Sequence, residues 1–468
     1  MSETKRVCTG ACIFGKCPHP VCVKYEQKTG DATQIRVASK ILTDNCLTDL
    51  KSDHAGLGIA VDIGTTTMVA YLYDLKRAEC LAVQSALNPQ ITLGVDVISR
   101  IKYCGDVPDG TQKMQRAVTD QLNELFLKLA AQAQVETGDI RRAVITGNTT
   151  MLHLLCGLSP VAMGVVPFEA ETLFGCTKQA EEIGLALTDV EVYLVACISS
   201  FVGGDITSAI LASKMTEREE ISLLMDLGTN GELALGNRAW LKCTSTAAGP
   251  AFEGSQIEKG MAGVAGAAAS VYIKQGNIEY TVIGGGKAAG LCGSGILDLA
   301  ALAVRLGMVD ETGRVLDADE AETGVRRYLN EVHGENAVYL DEHVYLTQKD
   351  FRQPQTAKAA VAAGVLCLIH EAGIALEDVA HVYIAGGFGN YMEKNSAVDI
   401  GLLDASFEDK IECIGNAAGS GAIYALLEDA KKDRCAQIAR MGEHVELGGN
   451  PYFMEKYVDC MMFEVLEQ

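Results

Sequence analysis

Four cysteines, Cys8, Cys12, Cys17 and Cys22, fall within the first 22 residues as C-x3-C-x4-C-x4-C, while the other twelve are scattered singly through the 468-residue chain. Four thiolates on a short Gly- and Pro-containing loop can surround one metal centre, and the metal would then organise a segment too short to have a core. An iron–sulfur cluster takes four Cys thiolates. Zinc takes the same set but favours two tight C-x2-4-C knuckles, and only the first pair here has that spacing. The common ferredoxin run, C-x2-C-x2-C-x3-C, is absent. The spacing favours an iron–sulfur cluster of the 4Fe–4S type over zinc, and over no metal at all. His19 and Cys46 are possible substitute ligands, although a surface or packing role accounts for each.

A second chemical signal occurs twice. An apolar run, GIAVDIG at 58–64, ends in Asp62-Ile-Gly64-Thr65-Thr66-Thr67 and continues into a second strand-like run. Another, ISLLMDLGTNG at 221–231, ends in Asp226-Leu-Gly228-Thr229-Asn230-Gly231 and does the same. Each is a β-hairpin whose tight turn holds a carboxylate, glycines and hydroxyls. Glycine lets backbone N–H groups approach a phosphate, Thr and Asn add donors, and Asp can hold Mg²⁺ through water. One such turn is weak evidence of function, since a plain hairpin explains it. Two copies, 164 residues apart and each after an apolar run, make chance a poorer explanation.

The elements around these turns also repeat. Ala143–Thr150 and Val382–Asn390 each read as a strand entering a glycine turn, the latter with Gly386, Gly387 and Gly389. Tyr193–Asp205 and Ile411–Gly421 each read as a strand and glycine turn before a helix. Strands alternating with helical runs predict an α/β fold. Two similar halves with glycine turns at their strand ends would face each other across a ligand cleft. Residues 1–30 read as a Cys module, 31–57 as a polar connector or strand pair, 58–215 as the first half and 216–468 as a longer second half with insertions. Within those insertions, Gly284–Gly286 and Gly293–Gly295 read as glycine turns leading to helices.

The paired turns with the later AGGFGN resemble the sugar kinase/actin/chaperone (ASKHA) ATPase superfamily. More closely, VDIGTTT, DVISRI, ITGNTTMLHLL, FVGGDI, DLGTNGE, AAGPAFEG, LCGSGILD, IAGGFGN and GNAAGSGA, in this order, resemble the reductive activators of corrinoid proteins. The resemblance covers nearly all of the chain from residue 58. It implies a duplicated actin-like fold and an activity in which ATP hydrolysis drives low-potential electron transfer, returning a Co(II) corrinoid to Co(I) in a methyltransferase system. It further implies a homodimer, a corrinoid-protein partner and an electron donor such as a ferredoxin. Carried over by motif, Asp62, Gly64, Thr65, Thr66 and Thr67 would form one phosphate loop of an ATP site. Asp226, Gly228, Thr229, Asn230 and Gly231 would form the other. Asp62 and Asp226 would be the Mg²⁺-side carboxylates, and Gly386, Gly387 and Gly389 would approach the adenosine. Asp205, 21 residues before Asp226, is the first candidate to position the attacking water, although a helix N-cap would explain it equally. Glu232 and Glu253 are weaker candidates. Well-known family members carry a ferredoxin-like 2Fe–2S domain, so Cys8, Cys12, Cys17 and Cys22 rest on their spacing alone.

Composition narrows the alternatives. Lys and Arg total 39 against 61 Asp and Glu, a net charge of −22, which argues against a general nucleic-acid or anionic-membrane binder. Residues 1–57 carry 8 basic and 6 acidic side chains, so the remainder carries −24. No signal peptide or membrane span is visible, and the expectation is a cytoplasmic protein with reduced thiols. A small-molecule kinase of the same superfamily, needing no Cys module, and a zinc-stabilised nucleotide-binding interaction protein are the competing readings.

Overall fold

The computed structural model describes residues 47–228, 230–254, 256–386 and 392–463. The first six strands are β1 (Leu57–Ile63), β2 (Thr67–Asp74), β3 (Glu79–Leu87), β4 (Ile140–Gly147), β5 (Cys176–Gln179) and β6 (Glu191–Leu194), which form one sheet in the order β3-β2-β1-β4-β6-β5. Next come β7 (Ile221–Leu227), β8 (Gly231–Gly236) and β9 (Leu241–Thr246). The second half then inserts two three-stranded sheets, β10 (Ala267–Lys274), β11 (Asn277–Val282) and β12 (Gly290–Leu291), and β13 (Leu329–Val332), β14 (Glu335–Tyr339) and β15 (Tyr345–Thr347). With β16 (Val379–Ala385), β17 (Ile411–Gly415) and β18 (Gly442–His444), the second large sheet has the order β17-β16-β7-β8-β9-β18.

Setting the edge strands β5 and β18 aside, the order 3-2-1-4-6 is repeated as 9-8-7-16-17. In each half an antiparallel hairpin leads the sheet and two parallel strands follow (β1 on β2 and β4, β7 on β8 and β16). The expected duplicated α/β, actin-like architecture is therefore the observed one.

The leading strands are apolar on both faces because both faces are covered. Ile59, Val61 and Ile63 of β1 pack with Met114, Val118, Leu122 and Phe126 of the helix Gly110–Ala133. Ala60, on the opposite face, joins Ile206, Ala209, Ala422 and Ile423. In the second half Leu223, Met225 and Leu227 of β7 pack with Val361, Val365 and Leu368 of the helix Gln348–Ala372, while Leu224 points back to the same shared layer as Ala60. That shared layer is built on two helices, Gly204–Ser213 after β6 and Ala417–Leu427 after β17. A Cβ on Gly421 would sit 2.0 Å from the Ser208 carbonyl oxygen, so only glycine permits this crossing. Each half thus buries one sheet face under its own helix and the other against the crossing pair.

Local differences from the sequence reading are few. Gly284–Gly286 does not lead to a helix: all three residues have φ between 78° and 88°, in a turn after β11. Gly293 begins a helix, as expected. Of the connector expected over 31–57, residues 47–56 form no strand and lie against the crossing helices, with the Asp53 N–H donating to the Leu427 carbonyl at 3.0 Å. Residues 31–46, with Cys46, lie outside the described residues, as do Cys8, Cys12, Cys17, Cys22 and His19. Among the described residues no helix is long and apolar enough to cross a membrane.

Candidate functional site

The two hairpin turns lie at equivalent ends of the two sheets. In the first, the Gly64 N–H donates to the Thr67 carbonyl at 3.0 Å; in the second, the Gly228 N–H donates to the Asn230 carbonyl at 3.0 Å. The carbonyls of the first turn are all tied back into the protein. Asn88 reaches Gly64 O through Nδ2 (3.0 Å) and Thr66 O through its N–H (2.8 Å). Arg100 Nη2 reaches Thr65 O at 2.6 Å. The negative ends of the turn's peptide dipoles are therefore turned inward, as an anion-binding turn requires. Asn148 caps the helix Thr149–Leu155 by accepting from the Met151 N–H and holds the Thr65 hydroxyl with its amide at 3.1 Å.

Arg100 is fully buried behind this turn. Its other contacts are Gly94 O (2.9 Å), Gln90 Oε1 (3.1 Å) and Met151 Sδ (3.1 Å), all uncharged. Burial lowers its pKa to about 10, opposed by Asp96, so it stays charged at neutral pH. A positive charge thus sits behind the turn, with its guanidinium fork fixing the turn's backbone.

Four carboxylates converge in front of the turns. Asp62 stands on β1 opposite Thr146 of β4, and Asp226 on β7 opposite Ala385 of β16. Burial first, then Asp226, pushes Asp62 up to about 7, against the lowering effect of Asn416. Asp205 rises to about 8 through burial, then Asp226, then Asp62. Glu232, buried next to the second turn, rises well above the usual carboxylate range through burial, Asp205 and Asp226, with a hydrogen bond from Asn230 acting the other way. Crowding carboxylates at low dielectric disfavours their charged forms, and this raises their proton affinities.

Asp205 is not the helix N-cap. Gly203 holds that position, and Asp205 lies in the first turn of the helix Gly204–Ser213, where its Oδ1 accepts from the Ile206 N–H at 2.9 Å. Gly386 has φ +90°, and a Cβ there would meet Asp226 Oδ1 at 2.8 Å, so this glycine lets β16 end against the second turn. Thr229, Gly387 and Gly389 lie outside the described residues, and nothing is described of the Glu253 side chain.

Among the described residues no group of three or more His, Cys, Asp or Glu is arranged to cage a metal by itself.

The site omits several residues from plain view in the sequence. Asn88, Arg100, Asn148, Tyr71 and Asn416 all bear on the first turn, yet none stands out in the sequence as a site residue, and Asn88 lies in none of the motifs. Asn416 Nδ2 donates to Asp62 Oδ2 at 3.0 Å from a position 354 residues away. Tyr71, which burial, then Asp62, keeps well above the usual phenol range, lies 3.3 Å from the same nitrogen.

Asp298, in the insertion, is fully buried and accepts from Ser396 Oγ (2.7 Å) and the Val271 N–H (3.1 Å). Burial raises its pKa from 3.8 to about 7 despite these bonds. A carboxyl raised on folding leaves stability intact below about pH 4 and lowers it as pH rises towards 7, by up to ~4 kcal/mol. Urea unfolding at pH 5 and pH 8 should therefore show a smaller pH-dependent loss for Asp298→Asn than for the parent. Equal losses would contradict this account.

Two like sheets, crossed helices between them and a carboxylate-bearing turn on each define an ASKHA fold. Residues 57–218 match the family model of the RACo middle region, and residues 220–467 that of the C-terminal domain of RACo, the ASKHA domain. The corrinoid activation enzyme RamQ of Eubacterium limosum is 38% identical over 419 residues, 87% of this chain and 70% of that protein. The Co(II) methylated amine-specific corrinoid protein reductase of Methanosarcina barkeri is 23% identical over 445 residues, 86% and 76% of the two chains. A solved structure of a reductive activator for corrinoid, iron-sulfur protein superposes with a TM-score of 0.80 at 35% identity, covering 89% of this chain and 67% of that one. The chain belongs to the RACo family of corrinoid activators.

Proposed function

We propose that this chain is an ATP-dependent reductive activator that delivers an electron to a corrinoid protein of a methyltransferase system, converting Co(II) to Co(I). The observation that carries the reading is the convergence of Asp62, Asp205, Asp226 and Glu232 on the facing turns of an ASKHA fold whose relatives are corrinoid activators. The turns at 64–67 and 228–231 receive the phosphates of ATP. Asp62 and Asp226 hold Mg²⁺, which neutralises phosphate charge when bound. Asp205, in the first turn of its helix beside these carboxylates, orients the attacking water and in its ionised form accepts the proton. Gly386, with Gly387 and Gly389, borders the adenosine. Nucleotide states that differ in affinity for the partner let hydrolysis drive an uphill reduction.

Cys8, Cys12, Cys17 and Cys22 hold a 4Fe–4S cluster in this reading, because their donor set is four thiolates with poor zinc-knuckle spacing. Such a cluster would supply a one-electron relay fed by a donor such as a ferredoxin. A homodimer in the cytoplasm completes the proposal. Anaerobic purification with iron, sulfide and zinc analysis and EPR spectra tests it. Iron and sulfide near four of each per chain are expected; zinc without iron, or phosphoryl transfer from ATP to a metabolite, would overturn it.

Arg100→Lys should raise KM for ATP about tenfold or more with the fold retained. A Lys ammonium cannot serve Thr65 O, Gly94 O and Gln90 Oε1 together, and one lost charge-assisted bond is worth ~1.5–3 kcal/mol. Steady-state kinetics beside thermal unfolding checks this; an unchanged KM would contradict it.

A further inference from the structure

We infer that Asn416 is a positioning residue that ties Asp62 of the first half to the crossing helix of the second, an inference that rests on the proposed nucleotide reading. The helix Ala417–Leu427 begins at Asn416, whose Oδ1 accepts from the Gly419 N–H at 2.8 Å. Its amide nitrogen points the other way, to Asp62 Oδ2 at 3.0 Å and Tyr71 Oη at 3.3 Å. Capping alone would be served by Ser, Thr or Asp. A side-chain amide accepts from the helix N–H at Oδ1 and donates to the carboxylate at Nδ2, whereas Ser or Thr has one oxygen for both and an ionised Asp has no donor.

The surroundings are shaped for this bridge. A Cβ on Gly419 would lie 2.9 Å from Asn416 Nδ2 and 3.0 Å from the Tyr71 ring, so glycine leaves room for both. Two residues further on, Gly421 seats the same helix against the Ser208 backbone. Ser208 belongs to the helix Gly204–Ser213, which carries Asp205 in its first turn, and its hydroxyl donates to Thr146 Oγ1 at 3.0 Å. Thr146 is the β4 neighbour of Asp62. A closed circuit therefore runs from Asp62 through Asn416 to one crossing helix, through Gly421 and Ser208 to the other, and back beside Asp62. Asn416 fixes the carboxylate of the first turn relative to the helix that bears Asp205. It also couples the cation side of the nucleotide site to the crossing pair, the element shared by both halves.

Two variants separate bridging from capping. Asn416→Ser keeps a good cap but is too short to reach Asp62; Asn416→Ala loses both functions. Calorimetric binding of Mg²⁺ with a non-hydrolysable ATP analogue, and thermal unfolding without nucleotide, are measured on the full chain. Bridging predicts that both variants bind about tenfold more weakly, while only Asn416→Ala melts appreciably lower. Parent-like binding by Asn416→Ser, with loss confined to Asn416→Ala, would reduce Asn416 to a cap and overturn the inference. Absence of binding by the parent chain would overturn the nucleotide reading, and this inference with it.

Discussion

Replacing Asp226 by Ala is expected to lower ATP turnover by about three orders of magnitude, ~4 kcal/mol of transition-state stabilisation. Asp226 closes the second hairpin, lies beside Gly386 and acts on Asp62, Asp205 and Glu232 alike. Phosphoryl transfer depends on positioning and charge neutralisation, so losing one of two cation-side carboxylates removes what the site contributes. The same change should not weaken the nucleotide-free fold. Asp226 is a like charge to three crowded acids, and its removal relieves them. Phosphate release and thermal unfolding, measured together, should show turnover lost and the melting temperature unchanged or raised. Parent-like turnover would refute the second phosphate turn, and a large drop in melting temperature would refute the crowding argument.

Replacing Cys8, Cys12, Cys17 and Cys22 together by Ser is expected to abolish corrinoid reduction while leaving basal ATP turnover within about twofold of the parent. The second half of this expectation follows from the fold. The leading strands, the crossing helices and all four carboxylates lie between residues 57 and 427 and pack on one another. The first half follows from the donor set, since serine hydroxyls do not replace thiolates around iron. Retained reduction would show that electrons bypass these cysteines. Loss of both activities would show that the run supports the ATPase body. Among the described residues, Cys197, Cys243, Cys292, Cys367 and Cys435 are buried within the cores or at a helix start. They are packing residues and poor substitutes for the four.

The duplication was legible because it is written in local signals. Two apolar runs break at D-[I/L]-G-T, and such strand-to-turn transitions depend on near neighbours. Asp62 and Asp226 stood out for that reason, and Asp205 through its spacing. The residues that shape the first turn did not. Arg100 stands within DVISRI with no local sign of its role until the fold buries it against Thr65, and Asn416 stands in a glycine turn before a helix until it meets an aspartate 354 residues away. Convergence of this kind is decided by tertiary packing, which no local pattern encodes. Glu232 was undervalued because a strand residue after a turn has no local mark of burial, yet it sits within the acidic cluster. Asp205 was half-read: its sequence favours a helix start, but Gly203 takes the cap and leaves the carboxylate in the first turn, among the other acids.

The central claim is that ATP hydrolysis by this chain drives a reduction that does not proceed without it. The direct measurement is an anaerobic visible and EPR spectrum of a Co(II) corrinoid protein mixed with this chain and a low-potential electron donor. It is recorded with Mg-ATP, with a non-hydrolysable analogue and with no nucleotide. The account predicts loss of the Co(II) EPR signal and appearance of Co(I) absorption with Mg-ATP alone. Equal reduction in all three mixtures, or none in any while ATP is consumed, would contradict it.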